Sequence, residues 1–473
     1  MSDFNKPYIQ TLEMICDELR VDESYDIITK KIKIANSNVA FFCISGFIKD
    51  EMFERMLEYL TKITDKEMKE APTADEFLNR YMTYVEASAE PQKDVFITKV
   101  LSGSIGMIVE GYTSGIVIDS RTYPARQVSE PESDKVLRGS HEGFVETLVF
   151  NTALIRRKIR NPKMTIKTFK LGSESKTDVA VCYLDDVVDS KQLKIITKKL
   201  NQIDVKSLTM SQESLRECLL PDQPWNPFPK VRYTERPDTA AACIYDGNII
   251  VLCDGSPSAM IIPTGIFDFV QDINDYYFPP MVGTFLRIIR SIVFLLSLGL
   301  VPSWYLMTLY IERLPEWLKF VDIEEPSDVP IIFQLIVIEF VIDTLRLASL
   351  NTPSALSNSF SVVGALVLGE FAVKSGWFVS EVILFMAFSA ISNFTQPSYE
   401  LGYAIKISRV IILLLTALFK IWGFVIGLAI VLVVICTTKT ISGYTYLYPL
   451  IPFDKEKLCR LIIRKGVKFS YKK

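Results

Sequence analysis

Long apolar runs in the last third of the chain constrain its fold more than any other feature. Residues 1–280 of the 473 are rich in Asp, Glu, Lys and Arg, whereas the runs over 284–310 and 407–435 are strongly apolar. A helix needs about 20 apolar residues to cross a bilayer, and both runs are long enough. Three shorter apolar segments lie between them, at 330–342, 360–373 and 377–391. The sequence therefore predicts an integral membrane protein with a large soluble N-terminal part.

The run over 407–435 is longer than one straight crossing requires. Its 29 residues would extend roughly 43 Å as a single helix, against a hydrocarbon core of about 30 Å. We therefore expect this run to tilt, kink or break near Lys420.

Basic residues indicate the orientation of the membrane part. The first span begins beside Arg287 and Arg290, and the chain ends in a basic tail, 455–473. The positive-inside rule places both in the cytoplasm, which requires an even number of crossings. Because there are five apolar segments, either one of them is re-entrant or the last run is a hairpin.

Strand and helix patterns alternate in the N-terminal part. We expect a strand followed by a helix over 24–60 and paired strands over 95–120. The polar stretch 121–139 is expected to be a linker or an ordered loop. A helix is expected from His141 to Ile159, and a further strand over 178–184 with a helix after it.

The segment 240–253 predicts a β-hairpin that turns at Asp246–Gly247. The mixture of strands and helices argues against an internal repeat. The predicted fold class is a cytoplasmic N-terminal part of two mixed α/β subdomains and an α-helical multi-pass transmembrane domain. The predicted boundaries are 1–125 and 126–280 for the two subdomains, 281–450 for the transmembrane domain and 451–473 for a basic cytoplasmic tail.

Several function classes find no support in the sequence. The net charge of −3 argues against a protein that neutralises nucleic-acid phosphates. The cysteines form no C-x-x-C pair and the N-terminus shows no secretory signal, which indicates reduced cysteines in a cytoplasmic domain. The lone His141 lacks a nucleophile or acid to work with, and no phosphate loop, dinucleotide motif or Cys/His metal cluster occurs. We expect no enzyme activity, cofactor, metal site or nucleic-acid partner.

Ionisable residues in or beside the apolar segments are more informative. Such groups are costly in a membrane and usually face a bundle interior or a water path. Glu339 and Asp343 are four residues apart on one helix face, and Arg346 is placed to neutralise them. A structural ion pair and a functional role are equally consistent with this pattern. Lys374 is a further intramembrane charge.

The segment around 359–370 is rich in small residues. One helical stripe of it ends in a carboxylate, and its members are Ser359, Val363, Leu366 and Glu370. A weakly polar stripe of this kind could line a narrow pore. Close helix packing through Gly364 and Gly369 explains the same residues, and the stripe alone favours packing.

Motifs along nearly the whole chain resemble the spore germination receptor A-subunit family. The main ones are DSRTYPARQVSEPESDKVLRGSHEGFVETLVFNTALIRRKIRNP over 119–162, TERPD over 234–238, DGSPSAMIIPT over 254–264 and YLYPLIPFD over 446–454. The match is looser before about residue 95. It is specific because unrelated sequences would not share all of these motifs in this order.

The resemblance implies a multi-pass protein of the spore inner membrane that acts in germination, with its N-terminal domain in the cytoplasm. Family members are thought to assemble as pentameric ring-shaped channels that release monovalent cations. Three C-terminal motifs resemble a branch associated with dipicolinate release: LASLNTPSALSNSF over 347–360, QPSYELGYAIKISR over 396–409 and YLYPLIPFD over 446–454. For that branch, amplifying a signal from other receptors is a better inference than direct nutrient sensing. The implied partners are membrane lipid, further copies of the chain and other spore membrane germination proteins.

The charged motif residues are interpreted as ion pairs between subdomains or protomers. They are Arg121, Arg126, Glu130, Arg138, Glu146, Arg156, Arg157, Glu235, Arg236 and Asp238. Glu370 is the candidate for a ring of carboxylates that favours cations. Two other functions are weighed: a non-conducting scaffold or receptor subunit that binds partner germination proteins, and a transporter, for which no inverted repeat is visible.

Overall fold

The computed structural model divides into two compact units, an α/β unit and a helical unit. The α/β unit comprises Met1–Leu220 and Val231–Pro263, and the helical unit comprises Pro221–Lys230 and Thr264–Lys473. The structure describes residues 3–464 except for 49, 83–85, 120–139, 221–222, 224, 273, 325–326, 352–373, 375 and 444. The predicted combination of a mixed α/β N-terminal part with a helical C-terminal part is confirmed.

The first half of the α/β unit is an antiparallel sheet with the strand order β1-β2-β4-β5-β3. Its strands are β1 (Ile27–Ile34), β2 (Ser37–Ile44), β3 (Ala87–Glu90), β4 (Ile105–Val109) and β5 (Gly115–Ile118). The helices of this half are α1 (Tyr8–Leu19), α2 (Asp50–Leu60), α3 (Asp65–Lys69), α4 (Ala74–Tyr81) and α5 (Lys93–Leu101). Val39 and Phe41 enter one core and Ala40 and Phe42 another. Strand β2 is continuously apolar because both of its faces are buried.

The second half is an antiparallel sheet with the order β6-β7-β9-β10-β8. Its strands are β6 (Met164–Leu171), β7 (Thr177–Leu184), β8 (Arg232–Thr234), β9 (Ile249–Cys253) and β10 (Ala259–Ile262). Its helices are α6 (Leu148–Lys158), α7 (Ser190–Asn201), α8 (Gln212–Leu219) and α9 (Pro237–Tyr245).

The two halves repeat one topology. The first two strands of each half form a hairpin, β1-β2 or β6-β7. The third strand, β3 or β8, lies at the far edge of the sheet, and the last two strands lie between it and the hairpin. The long strands β2 and β7 have the same burial pattern, with the first two residues half-buried and the last six buried. The expectation that no internal repeat exists was therefore wrong. The repeat lies in the order of elements, and a mixture of strands and helices does not exclude it.

Three local predictions need correction. The segment 240–253 is not a hairpin: α9 covers its first part, because Pro237 favours a helix start and the alanines after it favour helix. The expected helix from His141 begins only at Leu148, because the Asn151 side chain bonds the backbone N and O of Val145 and holds a non-helical turn. Within the predicted strand pair over 95–120, the first part belongs to α5.

A buried ion pair joins the two halves. Arg156 of α6 donates from Nε to Asp26 Oδ2 at 2.8 Å and from Nη2 to Asp26 Oδ1 at 3.1 Å, and both side chains are 0% exposed. Ser24 Oγ donates to Asp26 Oδ1 and accepts from the backbone N of Ile166. Because Asp26 precedes β1 and Ile166 lies in β6, this cluster fixes one sheet against the other.

Two buried cysteines of the α/β unit, Cys43 and Cys253, carry thiols that burial makes unreactive. All eight cysteines of the chain are free. Burial raises the pKa of the Cys43 and Cys253 thiols to about 12. Since the thiolate is the reactive form, these side chains behave as small core residues.

The helical unit contains six α-helices among its described residues, besides short 3-10 turns at Ile266–Val270, Ile311–Arg313 and Glu316–Val321. The α-helices are α10 (Asn274–Tyr277), α11 (Pro280–Leu309), α12 (Ile331–Asn351), α13 (Ser380–Phe394), α14 (Tyr399–Thr437) and α15 (Lys455–Ile462). Two of them, α11 and α14, are long and apolar enough to cross a membrane by length and composition. These are the two runs that the sequence identified as long enough.

Contacts between the helices define their directions. Gln334 accepts a hydrogen bond from the backbone N of Val379 at 2.9 Å, so the N-terminal ends of α12 and α13 lie together. The Arg346 guanidinium lies 5.4 Å from the ring centre of Phe394, so their C-terminal ends also meet. The same guanidinium lies 4.9 Å from the ring of Tyr403. Helix α14 therefore begins beside the end of α12 and starts antiparallel to it.

The segment Pro221–Lys230 packs with the helical unit although the chain on both sides of it belongs to the α/β unit. Phe228 shares a core with Tyr446 and with residues of α14. Tyr446 donates its hydroxyl to the carbonyl of Pro229 at 2.6 Å, and Asn226 donates to Thr438 Oγ1 at 2.6 Å. The chain therefore passes between the units three times.

Helix α14 folds back on itself at Lys420, whose φ of 52° and ψ of −129° are not helical. A Cβ on Gly427 would lie 3.0 Å from the Cα of Ile412, and a Cβ on Gly423 would overlap the backbone of Leu415. In a straight helix, residues 412 and 427 would be about 22 Å apart. The break predicted near Lys420 is thus confirmed, and the last apolar run is a helical hairpin.

We expect Gly423→Ala to lower the unfolding temperature of the detergent-purified protein, because the added methyl would overlap the Leu415 carbonyl. Overpacking of this kind costs about 1–3 kcal/mol. Gly299→Ala in α11 is the matched control, since nothing lies within 4 Å of its Cβ position. That control should leave the unfolding temperature equal or slightly higher. Equal behaviour of the two variants would contradict the close approach of the arms.

Candidate functional site

Four charged residues meet inside the helical unit. Glu339 Oε1 accepts from Arg409 Nη2 at 2.7 Å and lies 3.3 Å from Lys406 Nζ. Lys406 also pairs with Asp343. The Lys406 and Arg409 side chains are 9% and 2% exposed. The group, here called the charge network, carries two negative and two positive charges and links α12 to α14.

Arg409 is the most deeply placed member of the charge network. Besides Glu339, it donates from Nη1 to the carbonyl of Ser297 in α11 at 3.0 Å. One guanidinium therefore holds three helices. A planar fork with several fixed donors is suited to this task, whereas a lysine ammonium lacks the geometry.

The sequence identified the two carboxylates of the charge network but not their partners. Arg346 was expected to neutralise Glu339 and Asp343, and the structure pairs them with Lys406 and Arg409 instead. Arg346 lies over the rings of Phe394, Tyr399 and Tyr403. The sequence did contain a signal for this pairing. Lys406 and Arg409 lie three residues apart on one helical face, as Glu339 and Asp343 lie four apart on another, so the two faces have complementary charge.

Buried amide and hydroxyl groups form a second polar feature, on α13 and just after it. Ser389, Asn393 and Gln396 follow one helical stripe and are 2%, 8% and 6% exposed. Ser389 Oγ, Asn393 Oδ1 and both polar atoms of Gln396 have no hydrogen-bond partner in the described part of the chain. Asn393 faces α14, with Oδ1 3.9 Å from the Cβ position of Gly402. The interior of this bundle is therefore polar as well as charged.

The other predicted site residues are placed as follows. The stripe Ser359, Val363, Leu366 and Glu370 lies outside the described residues, as do Arg121, Arg126, Glu130 and Arg138. Lys374 is exposed. Arg236 is buried and pairs with Asp238 two residues on, at 2.6 Å. The carbonyl of Glu235 accepts from the backbone N of Phe144.

A second arginine cluster stands at the start of α11. Asp275 is 0% exposed and accepts from Arg287 Nε at 3.2 Å and from Arg290 Nη1 at 3.0 Å. Arg290 also lies 3.6 Å from Asp272. The two arginines that the positive-inside rule used for orientation thus hold the approach to α11 in place. Across the described ranges, no group of three His, Cys, Asp or Glu residues is arranged for a metal ion.

Comparison with known proteins covers both units. The family model described as Bacillus/Clostridium GerA spore germination protein matches residues 14–473. Stage V sporulation protein AF of Bacillus subtilis (strain 168) is 38% identical over 443 residues, which are 93% of this chain and 89% of that protein. Spore germination protein KA of the same organism is 28% identical over 92% of this chain and 80% of its own length. The uncharacterized membrane protein YfkQ is 26% identical over 93% and 85%.

We expect Glu339→Gln to destabilise the helical unit, because two buried cations would then share only Asp343. Removing one partner of a buried ion pair typically costs about 3–5 kcal/mol. The measurement is thermal unfolding in detergent, with the exposed carboxylate of Asp328 changed to Asn as the control. Adding Lys406→Met to Glu339→Gln should recover part of the loss. The single variant Lys406→Met is measured as well. If the stability lost by the double variant equals the sum of the losses of the two single variants, the residues do not act as one network.

Proposed function

This chain belongs to the GerA spore germination protein family, and from that premise we propose that it is a subunit of an oligomeric ion channel in the spore membrane. It releases monovalent cations during germination and so amplifies the germination signal. The family membership supports a role in germination as such. The conduction of ions is the additional step that the geometry of the helical unit supports.

The observation that carries this proposal is the polar interior of an otherwise apolar bundle. Ionisable groups among membrane helices are costly, and they usually lie along ion paths or in paired structural sites. The four charges of the charge network pair with one another, whereas Asn393 Oδ1 and the side-chain amide of Gln396 are buried without a partner in the described residues. Groups of this kind are satisfied by water or ions, which a conducting protein admits between its helices.

Membrane association is supported by two observations. Helices α11 and α14 have the length and composition of membrane spans, and a relative over most of the chain is named a membrane protein. We propose a multi-pass arrangement in the spore inner membrane with the α/β unit in the cytoplasm. The arginines at the start of α11 agree with that side, since basic residues are retained in the cytoplasm.

The proposed assembly is a ring of identical subunits, a pentamer by family resemblance. Around an axis, copies of Ser359, Val363, Leu366 and Glu370 would face water, and a ring of Glu370 carboxylates would favour cations. The remaining charged motif residues, such as Arg236 and Asp238, are proposed to hold subdomains and protomers together. Membrane lipid and other spore membrane germination proteins are the proposed partners.

A non-conducting scaffold that binds other germination proteins is the second candidate. Family membership is equally consistent with it, because a germination protein can act by assembly alone. The two candidates differ in one measurable property, which is the permeability of a membrane that contains only this protein.

We expect purified protein in liposomes to release trapped potassium in its open state. Flux should scale with the amount of protein, and liposomes with a denatured sample serve as the control. Liposomes that retain their potassium under every condition tried would favour the non-conducting scaffold.

Glu370→Gln should reduce the preference for cations over anions, because it removes one negative charge per subunit from the proposed ring. The measurement is the reversal potential of the liposome current in a salt gradient. Glu324→Gln, an exposed carboxylate outside the proposed stripe, should leave the reversal potential unchanged. An unaltered reversal potential in Glu370→Gln would remove this residue from the pore.

A further inference from the structure

Three of the five tryptophans of the chain are exposed in the part of the helical unit that follows Thr264. Trp317, Trp377 and Trp422 are 74%, 68% and 71% exposed. Trp304 is fully buried: it stacks on Phe385 with 4.7 Å between ring centres and donates to the carbonyl of Val321 at 3.1 Å. Exposing so many large rings in water is unfavourable, so this surface requires a partner.

The three exposed tryptophans lie at one end of the bundle. Val321, close to Trp317, packs in the same core as Val379, which is close to Trp377. Ser327 donates to the carbonyl of Gly376 at 2.8 Å and joins the same two segments a second time. Ala417, at the end of the first arm of the α14 hairpin, packs against this core. We call this region the Trp end.

The opposite end of the bundle has a different chemistry. Asp275 and its two arginines lie there, at the start of α11. The fourth exposed tryptophan, Trp225, is also remote from the Trp end, because its neighbour Asn226 bonds Thr438 after the last turn of α14. Three exposed tryptophans therefore lie at the Trp end and one lies away from it.

We propose that Trp317, Trp377 and Trp422 form an interfacial belt that binds the headgroup boundary of one lipid leaflet. Tryptophan is enriched at this depth because its ring is apolar and its N–H is polar. Lys319 and Lys420 are exposed and lie two residues from Trp317 and Trp422 in the sequence, and their ammonium groups complement lipid phosphates by reaching toward the interface.

The dimensions of the hairpin favour lipid over a protein partner. The first arm, from Tyr399 to the residue before Lys420, is about 31 Å long at 1.5 Å per residue, close to the hydrocarbon thickness of ~30 Å. Lys420 at the tip then reaches the headgroups, whereas a re-entrant hairpin would leave its charge in hydrocarbon. The belt therefore implies that both arms of α14 cross the bilayer completely.

The inference rests on the proposed membrane location, and depth-dependent quenching tests the two separately. The background variant of the full chain keeps Trp304 and carries Phe at the four exposed positions. Each of Trp317, Trp377 and Trp422 is then restored singly. The proteins are placed in vesicles of phosphatidylcholine brominated either near the headgroup or near the acyl terminus, and the loss of tryptophan fluorescence is measured.

Each restored tryptophan should lose more fluorescence to bromine near the headgroup than to bromine near the acyl terminus. The background, with buried Trp304 alone, should lose little to either. Stronger quenching of Trp422 by the deep bromine would overturn the belt and place the hairpin tip inside the hydrocarbon. Blue-shifted emission without quenching would assign the Trp end to a protein partner. Failure of the protein to float with the vesicles would instead reject the membrane location itself.

Discussion

The pairing of buried charge within an apolar bundle is the constraint on which the helical unit depends. A carboxylate removed from water stays charged only beside a cation with good geometry. Glu339 obtains this from Arg409, which also donates from Nη1 to the carbonyl of Ser297 in α11. Sliding α14 by one turn would leave two acids and two bases unpaired. The charge network therefore fixes the register of the bundle, and any movement that opens a path between these helices must exchange the partners of these four residues or admit water to them.

The α/β unit shows what periodicity can and cannot reveal. Strand β2, the strand pair β4 and β5, and the unit of β7 with α7 follow from apolar patterns that each lie within one stretch of sequence. The duplicated topology was missed because it depends on long-range strand order, which local patterns do not carry. Its trace is visible in NVAFFCI of β2 and DVAVCYL of β7, which share Val-Ala as the first two of their six buried residues.

In the helical unit, the sequence indicated which charged residues are costly to bury, but it did not indicate which residues pair with them. Length against bilayer thickness located the break at Lys420, and the cost of burial marked Glu339 and Asp343. The direction of the chain after the break depends on Gly423 and Gly427, a small-xxx-small pair that permits close approach of two helices. The pair does not indicate from the sequence alone which helix packs against it. Arg346 was the nearest cation in sequence, whereas tertiary packing brought Lys406 closer.

The path of residues 221–230 has a practical consequence for work on fragments. A recombinant piece that stops after β10 would include Phe228 and Pro229 but not Tyr446, and would expose to solvent a loop that is built to be covered. Such a piece invites aggregation through an apolar surface that the whole chain does not display. Isolating the α/β unit therefore requires two changes to the gene. One is a stop codon after β10, and the other replaces residues 221–230 with a short polar connection.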